Sequence, residues 1–564
     1  MIDNKKNIQL LVECLKEHSI RNIVISPGGT NIAFVRAVQD DPFFHCFSVV
    51  DERSAMYFAI GLYLQTGEII ATSCTSAQAT RNYVPGLTEA YYKKVPILAI
   101  TMSKHPRFTY QEYMQAPDQS SLPNDCVKSS YSLPIVSESD DVLHSIRLIN
   151  EAILETTHHG CGPVQLCIPW LDFPLSAIPL RNRCIKRYTL EDPWDISLKN
   201  KKVLICIGEH IRFGKKEKNS LEKFCECYNC AVYTNHLSNY SGKYSFEGNL
   251  LFTTIGVEKF KTEICPDVLI TIGGQTGDYS FYRLFSKLEL REIKHWRVDC
   301  DGHVTDTYDK LTKVFECSEA AFFEKLTVAE SDTHEYYAKI NRCITYSLDV
   351  ELPFSNAYAA RKLTKNIPPN SVVQFSILNS LRVWNLFHFE NQVECYSNVG
   401  AFGIDGGMST LIGQSMVTSE LCFMIIGDLA FFYDMNALGI RELKSNIRVL
   451  LVNNNGGVEF KLGKVDSKDV NRYIAAGNHF KNAQGWAETC GFEYLRAQTE
   501  KEFDSAIGKF VGLNDKPIVL ELFVSDTDDA AAYNKLVTIN TEGAALNQFK
   551  DNMKVSVKKL FGRI

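Results

Sequence analysis

Two polar clusters in the last third of the chain have the residue types that bind a metal-bound phosphate group. Gly427-Asp428-Leu429 and Asn453-Asn454-Asn455-Gly456-Gly457 each follow a short apolar run. The Asp428 carboxylate, the Asn455 amide and the Gly457 carbonyl are hard oxygen ligands of the kind that Mg²⁺ prefers, with water and phosphate oxygens completing the shell. Each cluster alone predicts an ordinary turn. Together, at neighbouring strand ends, they predict a diphosphate held through Mg²⁺.

A carboxylate near the N-terminus is the second candidate for chemistry. Glu52 lies in Asp51-Glu52-Arg53, directly before a helical run over residues 56–64. On its own, an acidic residue at a helix start predicts only an interaction with the helix dipole, worth less than ~1 kcal/mol. Combined with a diphosphate site elsewhere in the chain, it predicts a buried acid–base group that acts on a bound cofactor.

The secondary-structure elements that must position these residues follow one repeated pattern. Short β-branched strands alternate with helical stretches in three segments, a pattern that predicts mostly parallel sheets flanked by helices, an α/β fold. The predicted strands are residues 22–26, 69–74, 96–101 and 162–169, then 202–208, 267–274 and 296–299, then 371–375, 422–426 and 449–452. A polar linker over residues 174–200 and a charged helical stretch over residues 318–350 separate the segments. The predicted domains are residues 1–185, 186–350 and 351–564.

Composition excludes several classes of function. Among 564 residues, 60 are basic and 66 acidic, and the absence of a basic run gives no electrostatic basis for nucleic-acid binding. The N-terminus has an amphipathic pattern and the apolar runs are strand-length, so we expect no membrane association and a cytoplasmic location. The 18 cysteines lie mostly singly in apolar strings, as small buried hydrophobes do. One cluster, Cys225 to Cys230, contains a CxxC without the second pair that a zinc site requires.

Matches to a known family extend along nearly the whole chain. The matching stretches are Ser26-Pro27-Gly28, Asp51-Glu52-Arg53-Ser54-Ala55, Cys74-Thr75-Ser76, Asn82-Tyr83-Val84-Pro85 with Glu89-Ala90-Tyr91-Tyr92, Ser397-Asn398 with Gly403-Ile404-Asp405-Gly406, and the two clusters of the metal motif. In these stretches the sequence resembles the thiamine-diphosphate (ThDP) dependent synthases of menaquinone biosynthesis. This is the 2-succinyl-5-enolpyruvyl-6-hydroxy-3-cyclohexene-1-carboxylate (SEPHCHC) synthase family.

The resemblance implies a cofactor, an architecture and roles for particular residues. It implies ThDP and Mg²⁺ bound between a pyrimidine-binding and a diphosphate-binding domain, with a central domain between them in the chain. It also implies a homodimer or homotetramer whose active sites are shared between subunits. Glu52 would hydrogen-bond to N1′ of the aminopyrimidine, and Gln115 stands at the position of a family glutamine. The implied cofactor-binding residues are Pro27, Gly28, Thr75, Ser76, Asn398, Ile404, Gly427, Asp428, Leu429 and Asn455, and the implied metal ligands are Asp428, Asn455 and the Gly457 carbonyl.

The sequence departs from that family where the family's substrate carboxylates are bound. Thr30 and Val399 stand at positions of family arginines, and Trp384 aligns near a third, with Arg382 two residues before it. Threonine and valine cannot reproduce the bidentate recognition of a carboxylate by arginine. Hydrogen bonds to charged groups are worth ~1.5–3 kcal/mol each, so two lost arginines predict different substrates.

A polar loop over residues 104–115 has two possible roles. Lys104 and Arg107 could bind an anionic acceptor such as a phosphorylated or nucleotide-linked sugar, or they could belong to a solvated loop. His105, the histidine near this site, is interpreted as a surface residue. A flavin in the central domain, which some relatives carry, stays open, although no fingerprint for it is present.

These observations predict a 2-oxo acid decarboxylating carboligase. It would transfer an acyl-anion equivalent from a small, pyruvate-like 2-oxo acid to an aldehyde, ketone or enoate acceptor. Three alternatives remain. They are the menaquinone-pathway reaction of 2-oxoglutarate with isochorismate, simple decarboxylation with protonation of the enamine, and a catalytically inactive subunit of the same fold. Intact Glu52, Asp428 and Asn455 argue against the last.

Overall fold

A computed structural model describes residues 5–170, 185–290, 292–328, 333–344, 346–462, 473–479 and 481–541. Within them the chain forms three sheets, in which all strand pairs are parallel. The strands of the first sheet are β1 (Asn22–Ile25), β2 (His45–Ser48), β3 (Ile70–Cys74), β4 (Ile97–Lys104), β5 (Ser130–Ser132) and β6 (Val164–Trp170), in the order β2-β1-β3-β4-β6-β5.

The second and third sheets repeat this plan. The second contains β7 (Lys186–Tyr188), β8 (Val203–Ile207), β9 (Cys230–Thr234), β10 (Ser245–Glu247), β11 (Val268–Ile272), β12 (Lys294–Asp299) and β13 (Leu311–Glu316), ordered β10-β9-β8-β11-β12-β13-β7. The third contains β14 (Val372–Phe375), β15 (Glu394–Ser397), β16 (Cys422–Gly427), β17 (Ile447–Asn453), β18 (Glu493–Ala497) and β19 (Ile518–Phe523), ordered β15-β14-β16-β17-β19-β18.

Helices connect the strands and cover the sheets. They are α1 (Lys6–Glu17), α2 (Ile32–Val38), α3 (Glu52–Thr66), α4 (Gln78–Asn82), α5 (Val84–Lys93), α6 (Ser139–Glu155), α7 (Lys215–Cys227), α8 (Asn249–Thr254), α9 (Val257–Lys259), α10 (Tyr279–Phe285), α11 (Glu319–Leu326), α12 (Glu335–Cys343), α13 (Asn356–Leu363), α14 (Asn379–Trp384), α15 (Gly407–Ser415), α16 (Asp428–Tyr433), α17 (Gln484–Thr489), α18 (Glu500–Phe510) and α19 (Asp526–Asn540). The predicted α/β architecture with three flanked parallel sheets is confirmed.

The central strands form where the sequence has continuous apolar runs. Every residue of β8, β11 and β17 is buried, as expected for parallel strands with helices on both faces. All ten predicted strands are present within a few residues of the predicted bounds. The prediction did not include nine strands, which are β2, β5, β7, β9, β10, β13, β15, β18 and β19. Partly exposed residues interrupt the apolar pattern in β2 and β18, whereas β9 is fully buried and was missed all the same.

The structure shows which elements the two predicted connections contain. Three residues of the predicted linker form β7, which pairs with β13 at the edge of the second sheet; residues 174–184 of that linker lie outside the described residues. The charged helical stretch predicted near residues 318–350 contains two helices, α11 and α12. The strands of each sheet fall inside the three predicted domains, whose boundaries stay a prediction.

No helix among the described residues is long and apolar enough to cross a membrane. The cysteines of the 225–230 cluster are free thiols, with Cys225 and Cys230 buried. Across the part of the chain that the structure describes, no group of three or more histidine, cysteine or acidic residues could hold a metal ion.

Candidate active site

One cavity brings together strand ends from the first and third sheets. Residues that follow β1 and β3 form one side, and residues that follow β14, β16 and β17 form the other. The predicted site residues that line it are Pro27, Gly28, Glu52, Thr75, Ser76, Gln115, Ile404, Gly427, Asp428, Leu429 and Gly457. This is the place where open parallel sheets bind ligands, at the carboxyl ends of their strands.

Glu52 is the first residue of α3 and is 6% exposed. The Asp51 side chain caps this helix by accepting a hydrogen bond from the backbone N–H of Ser54 at 3.2 Å. Tyr433, the last residue of α16, donates its hydroxyl proton to Oε2 of Glu52. The amide of Asn82 in turn donates to the Tyr433 hydroxyl oxygen at 2.6 Å. The carboxylate of the first domain is thus joined to the third domain within one chain.

Burial raises the pKa of Glu52 to about 7. The carboxylates of Asp405 and Asp51 also raise this pKa, while the hydrogen bond from Tyr433 lowers it. A carboxyl group with a pKa near 7 can hold or release a proton at neutral pH, as an acid–base group must. Sequence reasoning found Glu52 but missed Tyr433. The signal available was its position at the end of the short helix that begins with Asp428.

Asp428 is 4% exposed and lies where β16 passes into α16. Its carboxylate accepts hydrogen bonds from the backbone N–H of Leu429 at 2.7 Å and of Gly456 at 2.8 Å. Burial raises the pKa of Asp428 to about 7. A buried carboxylate without a cation is unfavourable, so this residue has the burial and the charge of a metal ligand.

The asparagine run places a different amide at the cavity than the sequence predicted. Asn455 is exposed, has a left-handed backbone (φ 64°), and exchanges two hydrogen bonds with Asn478, at 2.8 and 3.0 Å. Asn454 lines the cavity instead and is 6% exposed. Adjacent side chains of an extended segment point to opposite sides of the chain. The spacing of the motif alone could therefore not decide whether Asn454 or Asn455 faces the cavity. Asn454 is thus a second candidate amide ligand, and Asn455, whose backbone N–H faces the Asp428 carboxylate, stays the predicted one.

Three buried oxygens at this cavity lack hydrogen-bond partners among the described residues: Oδ1 of Asn379, Oδ1 of Asn454 and Oγ of Ser76. The amide nitrogen of Asn454 is held, since it donates to Asp529 at 2.9 Å. Buried polar atoms without partners are uncommon in folded proteins and call for an explanation such as a bound ion or ligand. With the Asp428 carboxylate, these atoms match a metal-bound diphosphate cofactor.

The loop after β1 packs directly against the loop after β3. A Cβ at Gly28 would lie 2.2 Å from Cβ of Thr75, so the close approach requires glycine. The hydroxyls of Thr30 and Thr75 are hydrogen-bonded at 2.8 Å, and the N–H of Ser76 donates to the Thr30 hydroxyl at 3.1 Å. Thr30, which stands at the position of a family arginine, therefore joins these two loops.

Asn398 is the other predicted cofactor residue that does not line the cavity. Its amide oxygen accepts from Gln374 at 3.2 Å, and its amide nitrogen donates to Thr410 at 3.2 Å. These bonds connect the end of β15 to β14 and α15. The structure therefore places Asn398 behind the cavity wall, where it supports the loop that carries Ile404.

The cavity wall is acidic. Its titratable side chains include the carboxylates of Glu52, Asp405, Asp428 and Glu459. No lysine, arginine or histidine lines it within the described residues. Arg382 donates hydrogen bonds to Glu459 through both terminal nitrogens of its guanidinium group, one of them at 2.9 Å. This bidentate ion pair compensates both charges.

The other two positions of family arginines are buried away from the cavity. Val399 and Trp384 are both 0% exposed and belong to the hydrophobic core. The Trp384 indole donates to the side-chain oxygen of Asn356 at 3.0 Å. Trp384 therefore does not narrow the cavity, because its ring packs in the core.

The loop over residues 104–115 packs on its own aromatic residues and the second domain. Arg107 pairs with Asp309 at 3.4 Å and lies 4.3 Å over the ring of Phe108. His105 accepts a hydrogen bond from the backbone N–H of Arg107 at 3.1 Å. Of this loop, Gln115 reaches the cavity lining and Arg107 does not. A structural role for the basic residues is favoured over acceptor binding.

Comparison with known proteins agrees with this site. A family model described as "Thiamine pyrophosphate enzyme, N-terminal TPP binding domain" matches residues 6–122, which contain Glu52, Thr75 and Gln115. Fold and cavity thus define a thiamine-diphosphate-dependent enzyme.

Similarity to curated proteins extends over nearly the full chain. Three relatives bear the name 2-succinyl-5-enolpyruvyl-6-hydroxy-3-cyclohexene-1-carboxylate synthase. The protein of Phocaeicola vulgatus is 34% identical, covering 94% of this chain and 97% of the relative. Those of Bacteroides fragilis and Bacteroides thetaiotaomicron are 33% and 32% identical, each covering 94% of this chain and 98% of the relative. The chain belongs to the SEPHCHC synthase family.

Proposed function

We propose that this ThDP-dependent enzyme decarboxylates a small, pyruvate-like 2-oxo acid and transfers the acyl-anion equivalent to an aldehyde, ketone or enoate. The observation that carries the proposal is the charge of the cavity wall. Four carboxylates line it, and within the described residues no cationic side chain does. A second carboxylate on a substrate would have no cationic partner in the described part of this wall, because Arg382 is already paired with Glu459, and a buried carboxylate without a partner is strongly unfavourable.

The residues present fit ThDP and Mg²⁺. Asp428, Asn454 and the carbonyl of Gly457 would hold the metal ion and, through it, the diphosphate, while the Pro27-Gly28 and Thr75-Ser76 loops would enclose the rest of the cofactor. When bound, ThDP supplies the electron sink that accepts the electron pair left by departing carbon dioxide. Ile404 and Leu429 supply apolar contacts in the wall and reduce the access of water.

Glu52 would handle the proton of the cofactor ring. Its carboxyl group would share a proton with N1′ of the aminopyrimidine, and its pKa of about 7 allows the proton to move in either direction at neutral pH. Gln115 also lines the cavity, and its amide would orient a substrate oxygen. Neither role needs a cationic residue.

The names of the relatives support a second candidate, the SEPHCHC synthase reaction of 2-oxoglutarate with isochorismate. For this reaction Arg382 would have to exchange Glu459 for a substrate carboxylate. A third candidate is decarboxylation alone, in which the enamine is protonated and no carbon–carbon bond forms. The acidic side chains of the cavity wall favour the first candidate, a pyruvate-like donor. The sequence similarity to the relatives favours the second candidate, the SEPHCHC synthase reaction.

Steady-state kinetics with two donors would decide between them. The holoenzyme is incubated with pyruvate or 2-oxoglutarate, and carbon dioxide release is followed with and without aldehydes and isochorismate. The proposal expects kcat/KM to favour pyruvate at least tenfold and expects no product from isochorismate. A tenfold preference for 2-oxoglutarate, or product from isochorismate, would establish the second candidate. If acceptors did not change the rate of carbon dioxide release and the free aldehyde were the sole product, the third candidate, decarboxylation alone, would be established.

We also propose a homodimer or homotetramer with active sites shared between subunits. Tyr57, Phe58 and Leu64 on α3 are 47, 41 and 58% exposed, which leaves an apolar helix face next to the catalytic residue. Such a patch supports association. Because one chain already places Glu52 beside Tyr433, sharing of sites requires a separate test. Sedimentation equilibrium of the wild type and of Phe58→Glu would show whether an oligomer forms through α3, and a monomeric wild type would exclude it.

A further inference from the structure

The Tyr433 hydroxyl is the centre of a hydrogen-bond chain that crosses between two domains. It donates to Oε2 of Glu52 on the first domain and accepts from the amide of Asn82, also on the first domain. Tyr433 itself ends α16, the helix that begins with the candidate metal ligand Asp428. One tyrosine therefore connects the carboxylate that would act on the cofactor ring to the helix that would hold the cofactor diphosphate.

Tyr433 contacts one oxygen of Glu52, a side chain that is buried between the two domains. The Asp51 cap fixes the α3 backbone at Glu52, and the hydroxyl of Tyr433 is the side-chain hydrogen-bond donor to the Glu52 carboxylate among the described residues. A hydroxyl donor on Oε2 selects one rotamer and defines which oxygen is engaged by the protein. The Asn82 amide orients this donor, because a hydroxyl that accepts one hydrogen bond is directed toward its own acceptor.

We infer that Tyr433 is a positioning residue for Glu52: its hydroxyl holds Oε2, so that the carboxyl group meets the aminopyrimidine in one orientation and exchanges its proton there. The inference rests on the proposed function for the identity of the ring, but the contact itself does not depend on any substrate. Tyr433 acts through Glu52 and is not assigned a contact with the reacting atoms.

Several titratable groups face Glu52 from the elements packed around it. They are Asp51 at the start of α3, Asp405 before α15, Cys74 at the end of β3, Tyr83 between α4 and α5, and Tyr433. Burial and the two aspartates raise the pKa of Glu52, and the Tyr433 hydrogen bond opposes them because it stabilises the ionised form. Loss of this hydroxyl should therefore raise the pKa of Glu52 further.

The test is an infrared pH titration of the ligand-free protein. The carboxyl band that disappears in Glu52→Gln is assigned to Glu52 and followed in the wild type, in Tyr433→Phe and in Tyr57→Phe. Tyr433→Phe should raise the midpoint by about one pH unit, the scale of one hydrogen bond to a charged group. Tyr57→Phe is the matched control, since its hydroxyl donates to the backbone oxygen of Pro85 at 3.4 Å and not to Glu52, and it should not shift the midpoint.

A second variant keeps the test decisive if Tyr433→Phe does not fold. Asn82→Ala removes the donor to Tyr433 and should shift the Glu52 midpoint upward by a smaller amount. An unchanged midpoint in the folded Tyr433→Phe protein, or in Asn82→Ala where only that variant folds, would overturn the inference, even if thermal stability falls. In the holoenzyme, Tyr433→Phe should lower kcat about tenfold while KM changes less than threefold, the pattern of a lost positioning contact.

Failure of the inference and failure of the proposed function give different results. If Glu52 titrates with the expected shift but no 2-oxo acid is decarboxylated, the contact is established and the proposed function is wrong. If decarboxylation proceeds but the midpoint in Tyr433→Phe equals that of the wild type, the positioning role is wrong.

Discussion

The backbone N–H of Gly456 donates a hydrogen bond to Oδ2 of Asp428 at 2.8 Å, joining the ends of β16 and β17. Gly456 has φ 138°, and a Cβ there would lie 2.6 Å from the carbonyl oxygen of Ala475, so this turn requires glycine. The contact fixes one oxygen of Asp428 and places Asn454 beside the same cavity. The geometry of the candidate metal site thus depends on a backbone turn as well as on the side chains.

Removal of the Asp428 carboxylate should abolish metal-dependent cofactor binding. Asp428→Ala deletes the charged oxygen ligand, and we expect the affinity for ThDP in the presence of Mg²⁺ to fall at least 100-fold, as exhaustive chelation should also do. Calorimetric titration measures this change. Asp504→Ala, an exposed carboxylate that pairs with Lys362, is the control and should bind ThDP normally. Full activity of Asp428→Ala would refute the metal site.

The two neighbouring asparagines should respond differently to truncation. Asn454→Ala removes the buried amide oxygen at the cavity and should weaken Mg²⁺-dependent ThDP binding by about tenfold or more, the scale of one lost contact to a charged group. Asn455→Ala changes an exposed side chain and should have less than a threefold effect. Calorimetric titration of both variants, after thermal denaturation shows that they are folded, checks this. The reverse ranking would identify Asn455 as the ligand.

Replacement of the Glu52 carboxyl group should reduce turnover without loss of the fold. Glu52→Gln keeps the size of the side chain but cannot accept or release a proton, so we expect kcat to fall by ~100-fold or more with ThDP affinity largely unchanged. Glu89→Gln, on the exposed side of α5, provides a carboxylate control that should keep wild-type turnover. A wild-type rate in Glu52→Gln would place the catalytic carboxylate elsewhere.

The raised pKa of Glu52 predicts how stability changes with pH. Its folded-state pKa of about 7 lies above the ordinary value of 4.5, so ionisation opposes folding increasingly as pH rises through this interval. In ligand-free protein, Glu52→Gln should therefore gain stability relative to the wild type between pH 4.5 and 7, by up to about 3 kcal/mol, with no further gain above. Urea denaturation at several pH values measures the difference. If the stability difference between Glu52→Gln and the wild type did not depend on pH, the pKa of Glu52 would not be raised by burial.

Release of Arg382 should change the preference between donors. Glu459→Gln removes the carboxylate that engages the guanidinium. We expect kcat/KM for 2-oxoglutarate to rise about tenfold relative to pyruvate, the scale of one hydrogen bond to a charged group. The double variant Glu459→Gln with Arg382→Leu is the control and should lose this gain. An unchanged donor ratio in Glu459→Gln would show that Arg382 cannot reach the second carboxylate.

Local sequence determined the elements of the fold and two of the charged groups of the site. Continuous apolar runs predict buried parallel strands because helices cover both faces, and β8, β11 and β17 follow this rule. Asp428 follows such a run directly, and Glu52 follows a helix-capping aspartate. Both positions depend on residues next to them in the chain, which is why the sequence alone located them.

Tertiary structure decided which side chains meet and which face the cavity. Tyr433 and Glu52 are 381 residues apart in sequence, and only the packing of the third domain on the first brings them together. The left-handed backbone at Asn455 turns one amide outward and leaves Asn454 at the cavity, a choice that spacing cannot express. The burial of Trp384 and the ion pair of Arg382 with Glu459 likewise arise from long-range packing, because no local pattern specifies the partner of a side chain.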